Sequence, residues 1–288
     1  MQFLGWSKYQ FKELKTRFTP EIQKVVRDKD DINWFASNKY SLDRHKIRDE
    51  NSMIPEMLYE IFREISYKAI ALDVGANAGY WTLPLAKYFE SVHAWEPDDL
   101  ARTKLLKNIS INPKLITKVF VHSEVVTDKI GNIDFFSIHL KDGDGLINSG
   151  LGGIYGRSLG LSPSLVSGIT LDSIDFGCQK IHFIKIDVEG AESKVLLGAC
   201  SLIRSNLPII FWESSFGLDK NNKTRNVLSS FSILQSFEYF HYALMQDGSI
   251  TLVNSDFFRD QTNLDCDILS VPQNFPKIQK IASKYLTR

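Results

Sequence analysis

Four acidic residues carry the chemistry that this sequence suggests. Asp73, Glu96, Asp187 and Glu213 each stand at the end of a short apolar run: Ile70-Ala71-Leu72, Val92 to Trp95, Ile181 to Val188, and Ile209 to Trp212. Such runs, separated by helix-compatible stretches, read as strands of a parallel α/β sheet, whose carboxyl ends meet at one rim. Any one of these acids could instead cap a helix, but four on one rim suggest a site. Gly75 and Gly79 follow Asp73, and without a Cβ they permit a tight turn and a close approach of backbone to a ligand. Glu96 comes 23 positions after Asp73. An acid at the end of a second strand can accept both hydroxyls of a ribose, so a nucleoside-bearing ligand is expected.

The elements that must position these acids follow in order. Ile54 to Ser66 has apolar residues at helical spacing (Leu58, Ile61, Phe62, Ile65) with Pro55 near its first turn. After the first strand and the helix Trp81 to Phe89, a second strand (Val92 to Trp95) leads to a helix capped by Asp98 and reaching Ile111. A third strand spans Val119 to Val126, and Asp128 to Asn132 suggests a hairpin turn before Ile133 to His139. Lys141 to Gly168 is rich in glycine and serine, a long loop that suits either a lid or disorder. The sheet is expected to resume with Ile169 to Ile174 and Ile181 to Val188, followed by a helix to Arg204, a strand ending at Glu213 and a helix from Val227 to Phe237. Tyr239 to Met245 and Ser249 to Val253 should pair across Gln246-Asp247-Gly248. Before residue 54, helices are expected around Phe11 to Phe18 and from Pro20 with Thr19 as cap, then a solvated run, Arg27 to Asp31.

Composition narrows the function classes. The 288 residues are 43% hydrophobic and 24% charged, with 34 basic and 34 acidic side chains. That balance provides no overall field for nucleic acid or an anionic membrane, and neither is expected as a partner. Cys178, Cys200 and Cys266 are far apart, which favours a reducing compartment over a disulfide framework or zinc site. No apolar run approaches membrane-span length and no signal peptide is evident, so a cytoplasmic location is expected.

Two features separate the nucleoside ligands that use such a site. A dinucleotide fingerprint needs G-x-G-x-x-G, whereas this chain has Asp73-x-Gly75-x-x-x-Gly79 with Asn77 in place of the middle glycine. An acid beside the loop would also repel a pyrophosphate and suits an ammonium group. S-adenosylmethionine fits these residues better than NAD, although an oxidoreductase or a non-catalytic binder on a similar sheet remains open.

Several segments resemble the FkbM-type family of S-adenosylmethionine-dependent methyltransferases. They are Leu72 to Thr82 (L-D-V-G-A-N-A-G-Y-W-T), His93 to Pro97 (H-A-W-E-P), Lys107 to Asn112 (K-N-I-S-I-N), Thr170 to Ile174 (T-L-D-S-I) and Ile184 to Glu192 (I-K-I-D-V-E-G-A-E). The resemblance implies a class I methyltransferase fold, a Rossmann-like three-layer α/β sandwich. Its mixed seven-stranded sheet would have an antiparallel C-terminal hairpin. Residues 54–271 would form this domain, with 141–168 as its loop, 1–53 as a helical N-terminal extension and 272–288 as a tail. It also implies methyl transfer, most often to a hydroxyl of a sugar, glycan or natural product, with a protein or RNA acceptor as the alternative.

The resemblance further implies that Asp73, Gly75, Ala76, Asn77, Gly79 and Tyr80 surround the methionine end of the cofactor. Glu96 would hold the ribose beside Pro97, and Ser123 and Glu124 would lie near the adenine, with Asp187 facing the methyl group. A hydroxyl acceptor must lose a proton, and Asp187 and Glu189 are the candidate bases. Lys185 shares a strand face with Asp187 and is either its structural ion-pair partner or a substrate-orienting group. Asp187, Glu189 and Glu213 could together hold a divalent ion, but no metal motif is present and none is assigned. His93, His122 and His182, with Trp81, Trp95 and Trp212, are expected in the core.

Overall fold

The computed structural model describes residues 24–36, 54–65, 69–137, 139–141, 147–149, 152–155, 162–214, 223–245, 249–260 and 266–287. Its first element is a hairpin. Lys24–Arg27 (β1) pairs antiparallel with Asn33–Ala36 (β2). The helix expected to open at Pro20 therefore does not extend into these residues, where Val25, Val26, Trp34 and Phe35 have the branched and aromatic side chains that strands favour. Asp28 is not on the solvated surface expected of its run. It is buried and accepts bonds from the Asp30 and Ile32 amides and from Trp34 Nε1, closing the turn, while Lys29 and Asp31 are exposed as expected. The helix expected around Phe11 to Phe18 lies outside the described residues.

The central layer is built from the apolar runs. Glu56–Glu64 (α1) leads into Ile70–Val74 (β3), Thr82–Tyr88 (α2), Ser91–Trp95 (β4), Asp99–Ser110 (α3) and Val119–His122 (β5). The third expected strand breaks after His122. Val125–Val126 (β6) leaves for a side sheet with Gly131–Phe135 (β7) and, beyond the paired His139–Lys141 (β8) and Ile147–Ser149 (β9), with Ser164–Ile169 (β10). The strand expected at Ile169 to Ile174 thus lies upstream and outside the central sheet, and Leu171–Ser173 is a single 3₁₀ turn.

Ile181–Ile186 (β11) restores the central series. It is followed by Glu192–Leu197 (α4), Cys200–Asn206 (α5), Ile209–Ser214 (β12), Lys223–Gln235 (α6), Tyr239–Leu244 (β13) and Ile250–Val253 (β14). Ser255–Asp260 (α7), Cys266–Pro272 (β15) and Pro276–Lys284 (α8) close the chain. The one helix expected up to Arg204 is broken at Gly198, where a Cβ would lie 2.1 Å from the Thr127 carbonyl oxygen. The strands β13 and β14 pair as expected, although the turn residues 246–248 lie outside the described residues.

The central sheet runs β14-β13-β15-β12-β11-β3-β4-β5. Strands β12 to β5 are mutually parallel, and β15, to which no element was assigned from sequence, inserts antiparallel between β12 and β13. The sheet has eight strands rather than the seven expected, with β14 at its edge. Strand alternation splits the core into two layers. Ala71, Phe183 and Phe211 pack under α1, α2, α3 and α8, while Leu72, Ile184 and Trp212 pack against α4, α5 and α6. Trp81, Trp95 and Trp212 are buried as expected.

Candidate functional site

The order of strands reverses between β3 and β11, and open α/β sheets form their ligand crevice at the carboxyl side of such a point. There the chain after β3 makes a sharp loop. Gly75 has φ +84° and lies so close to the neighbouring strand end that a Cβ would sit 1.7 Å from the Asp187 carbonyl oxygen. Only glycine meets both demands. The Gly75 and Ala76 amides donate to the Trp95 carbonyl at 3.0 and 2.9 Å, which ties the loop to β4. Asn77 has φ 49°, a conformation asparagine tolerates. Its amide donates to Glu96 Oε2 at 2.7 Å, and the Asp98 amide donates to Glu96 Oε1 at 2.8 Å.

Glu96 is 7% exposed. Burial pushes its carboxyl up to about 7, against the pull of the Asp98 and Asn77 amides. Each oxygen keeps a second lone pair for a ligand hydroxyl. Asp98 caps α3 through the Leu100 and Ala101 amides, so the turn that presents Glu96 is fixed at both ends.

A second group forms where β3, β11 and β12 end. Asp73 is fully buried and accepts from Thr82 Oγ1 at 2.5 Å, while its Oδ1 accepts no hydrogen bond. Lys185 Nζ lies 3.9 Å from that oxygen, and donates to Asp187 Oδ2 at 2.9 Å and to the Gly75 carbonyl at 3.2 Å. Burial opposes the charge on Lys185, but Asp187 and Asp73 outweigh it and the ammonium is pushed up to about 12. Lys185 therefore stays cationic and links the glycine loop to Asp187. Burial raises the Asp73 carboxyl, and Lys185 draws it partly back.

Carboxylate oxygens of Asp187, Glu189 and Glu213 lie within 4.8 Å of one another. Burial, then the charges of Asp187 and Glu189, hold the Glu213 carboxyl well above the usual range. Glu192, given no role from sequence, supports this corner. It is fully buried, accepts from the Val188 and Gly190 amides at 3.2 and 3.1 Å, and from Asn226 Nδ2 at 2.6 Å. Its signal was an acid in a first helical turn that can reach back to loop amides.

Between the two groups opens a cleft of about 730 Å³, counted with its mouth. Of the residues expected from sequence, Gly75, Asn77, Glu96, Pro97, Glu124, Asp187 and Glu189 line it. Asp73, Ala76, Gly79, Tyr80, Ser123 and Lys185 are not among its lining residues. Asp73 and Lys185 sit behind the wall, and Tyr80 stacks on Trp34. Ser123 lines a neighbouring groove with Asp98 and Ser167. Trp95, Phe135, Gly152 and Gly153 line the cleft without having been expected. The last two belong to the glycine-rich loop, part of which lies outside the described residues. Gly153 pairs with Phe136 and approaches Glu189 closely. Among the described residues the lining includes Glu96, Asp98, Glu124, Asp187 and Glu189, and no lysine or arginine. Such a cleft suits a ligand that carries positive charge and hydroxyl donors, and it disfavours a pyrophosphate.

The methyltransferase FkbM domain matches residues 73–244, more than half of the chain. No curated protein matches it. Among solved structures, methyltransferase FkbM from Methylobacillus flagellatus KT is 16% identical with a TM-score of 0.44, covering 70% of this chain and 43% of that one. The present chain thus spans less than half the length of that protein. SMU.1697c from Streptococcus mutans, in complex with SAH, is 12% identical with a TM-score of 0.39, covering 76% and 100%. An rRNA methylase from Streptococcus thermophilus is 13% identical with a TM-score of 0.41, covering 76% and 97%. Likenesses this distant say nothing about substrate. The domain match, which begins at the first acid of the rim and takes in all four, places this chain in the FkbM methyltransferase family.

Proposed function

We propose that this chain transfers a methyl group from S-adenosylmethionine to a hydroxyl of a sugar, glycan or natural product. The observation that carries the reading is the acid-lined cleft at the sheet's switch point, with no lysine or arginine in its lining among the described residues. Glu96, which lines the cleft and keeps a lone pair on each oxygen beyond its two backbone donors, also fits the ribose of this cofactor. Glu96 would accept the ribose hydroxyls, the loop at Gly75 and Asn77 would face the ammonium end with Asp73 buried behind it, and Glu124 would lie by the adenine. When bound, the cofactor supplies a methyl group made electrophilic by its sulfonium.

The protein's own part is to place the acceptor and remove its proton. Asp187, oriented by Lys185 at 2.9 Å, is the proposed base. Glu213, its carboxyl held well above the usual range, stands beside Asp187, and Glu189 would complete the acceptor side. Acids along the cleft repel a phosphate backbone, which supports a non-nucleic-acid acceptor. The separated thiols suit a cytoplasmic setting. No helix of the described residues is long and apolar enough to cross a membrane.

The test is Asp187→Asn, assayed by labelled-methyl turnover over an acceptor library and by calorimetry with S-adenosylhomocysteine. Turnover should fall by about 10²-fold or more, with a much smaller change in cofactor affinity. Full turnover in the variant would eliminate Asp187 as the base.

A further inference from the structure

The N-terminal hairpin meets the cofactor loop through one buried side chain. Asn108, on α3, accepts from the Phe35 amide of β2 at 2.8 Å and donates from Nδ2 to the Ala78 carbonyl at 2.9 Å. Ala78 lies inside the loop Gly75 to Gly79. One amide therefore reads both elements at once, and its two ends cannot be satisfied unless hairpin and loop are both in place.

Further contacts fasten the same junction. Asn112, just past the end of α3, clasps the Asn33 backbone in both directions, with bonds of 2.8 and 2.7 Å. Trp34 is fully buried and stacks on Tyr80 at 5.4 Å, immediately after the loop. Lys107 Nζ lies 3.1 Å from the centre of the Phe35 ring. Tyr59 and Lys87 both donate to Asp30 at the hairpin turn. A hairpin docked only to cover apolar surface would not need a polar bridge to a loop carbonyl.

We infer that Asn108 is a positioning residue through which the hairpin of residues 24–36 sets the backbone of the cofactor loop. The inference rests on the reading of Gly75 to Gly79 as the cofactor loop. Asn108 touches neither cofactor nor acceptor in this account. It acts through Ala78, and its effect belongs in cofactor affinity rather than in the chemical step.

The variant Asn108→Asp keeps an acceptor for the Phe35 amide but places an oxygen against the Ala78 carbonyl. Loss of one bond and the new repulsion should weaken S-adenosylhomocysteine binding about tenfold or more. KM for the methyl donor should rise with it and kcat should stay within about twofold. Amide hydrogen exchange at Asn77 and Gly79 should quicken. Ile281→Val, in the core beneath α8, serves as the stability control and should change neither affinity nor loop exchange. If Asn108→Asp does not fold, Asn112→Ala carries the test, because it unfastens Asn33 without touching the loop. It should quicken exchange at Asn77 and Gly79 and weaken binding at least threefold. Unchanged affinity and loop exchange in the folded variant would overturn the inference, and so would an equal effect in the control. Wild-type protein that binds no S-adenosylhomocysteine would instead sink the cofactor reading, and loop exchange would still judge the brace.

Discussion

Glu96 shows how a single side chain can be legible in type and spacing yet not in state. Its place after a second apolar run suggested the role proposed for it, but no sequence pattern reveals that burial pushes its carboxyl up to about 7. The folded value lies above the unfolded one, so the stability linked to this proton is fully present below about 4.5 and is lost as pH rises through about 7. Ribose hydroxyls donate to the ionised form, so binding should run in the opposite sense. Affinity for S-adenosylhomocysteine is expected to climb between pH 6 and pH 8, and Glu96→Gln should flatten that rise. Removing the carboxyl altogether, Glu96→Ala, should cost about 3 kcal/mol of binding, close to hundredfold. Calorimetry at three pH values checks both outcomes, and a flat wild-type profile would contradict the assignment of Glu96 to the ribose. Asp73, by contrast, was expected at the cofactor and lies just behind the cleft wall, because its strand face turns it toward Thr82 and Lys185.

At the scale of elements, the strands that carry the acids were legible because each is a mostly apolar and mostly buried run. The side sheet was not. Half of β10 is exposed, its neighbour β6 has two residues, and no alternation marks either. The β1–β2 hairpin was hidden for a related reason: its turn is built from charged residues, and Asp28 is buried by accepting backbone and indole donors that lie later in the chain. The Val188 to Gly190 turn depends on a similar bond network, centred on Glu192. Glu192→Ala would leave two loop amides and the Asn226 amide without their acceptor. That should cost about 2–4 kcal/mol and lower the Tm by roughly 5–12 °C. Turnover should fall as well, since Glu189 sits in that turn at φ 54°. A Tm within a degree of wild type would show that the network is dispensable.

At the scale of the whole molecule, two apolar layers clamp one sheet, and the last helix belongs to the clamp. Residues 272–288 were expected as a tail, yet Ile278, Ile281 and Ala282 of α8 are buried in the layer beneath α1, with Lys284 and Tyr285 both bonded to Glu60. Burying two isoleucines and an alanine contributes about 4–5 kcal/mol, a large share of a total near 5–15 kcal/mol. A chain ending at Phe275 should therefore melt more than about 10 °C lower or fail to fold, and an unchanged melting curve would refute this.

The same sheet brings Glu96 and Asp187 of the rim to one cleft, whose lining among the described residues includes no lysine or arginine, and the functional account depends on that gathering. Calorimetric titration of the wild-type chain with S-adenosylmethionine, S-adenosylhomocysteine and NAD tests it most directly. The account predicts one saturable site for each of the two sulfur compounds and no heat of binding from NAD. Binding of NAD, with no binding of either sulfur compound, would contradict it.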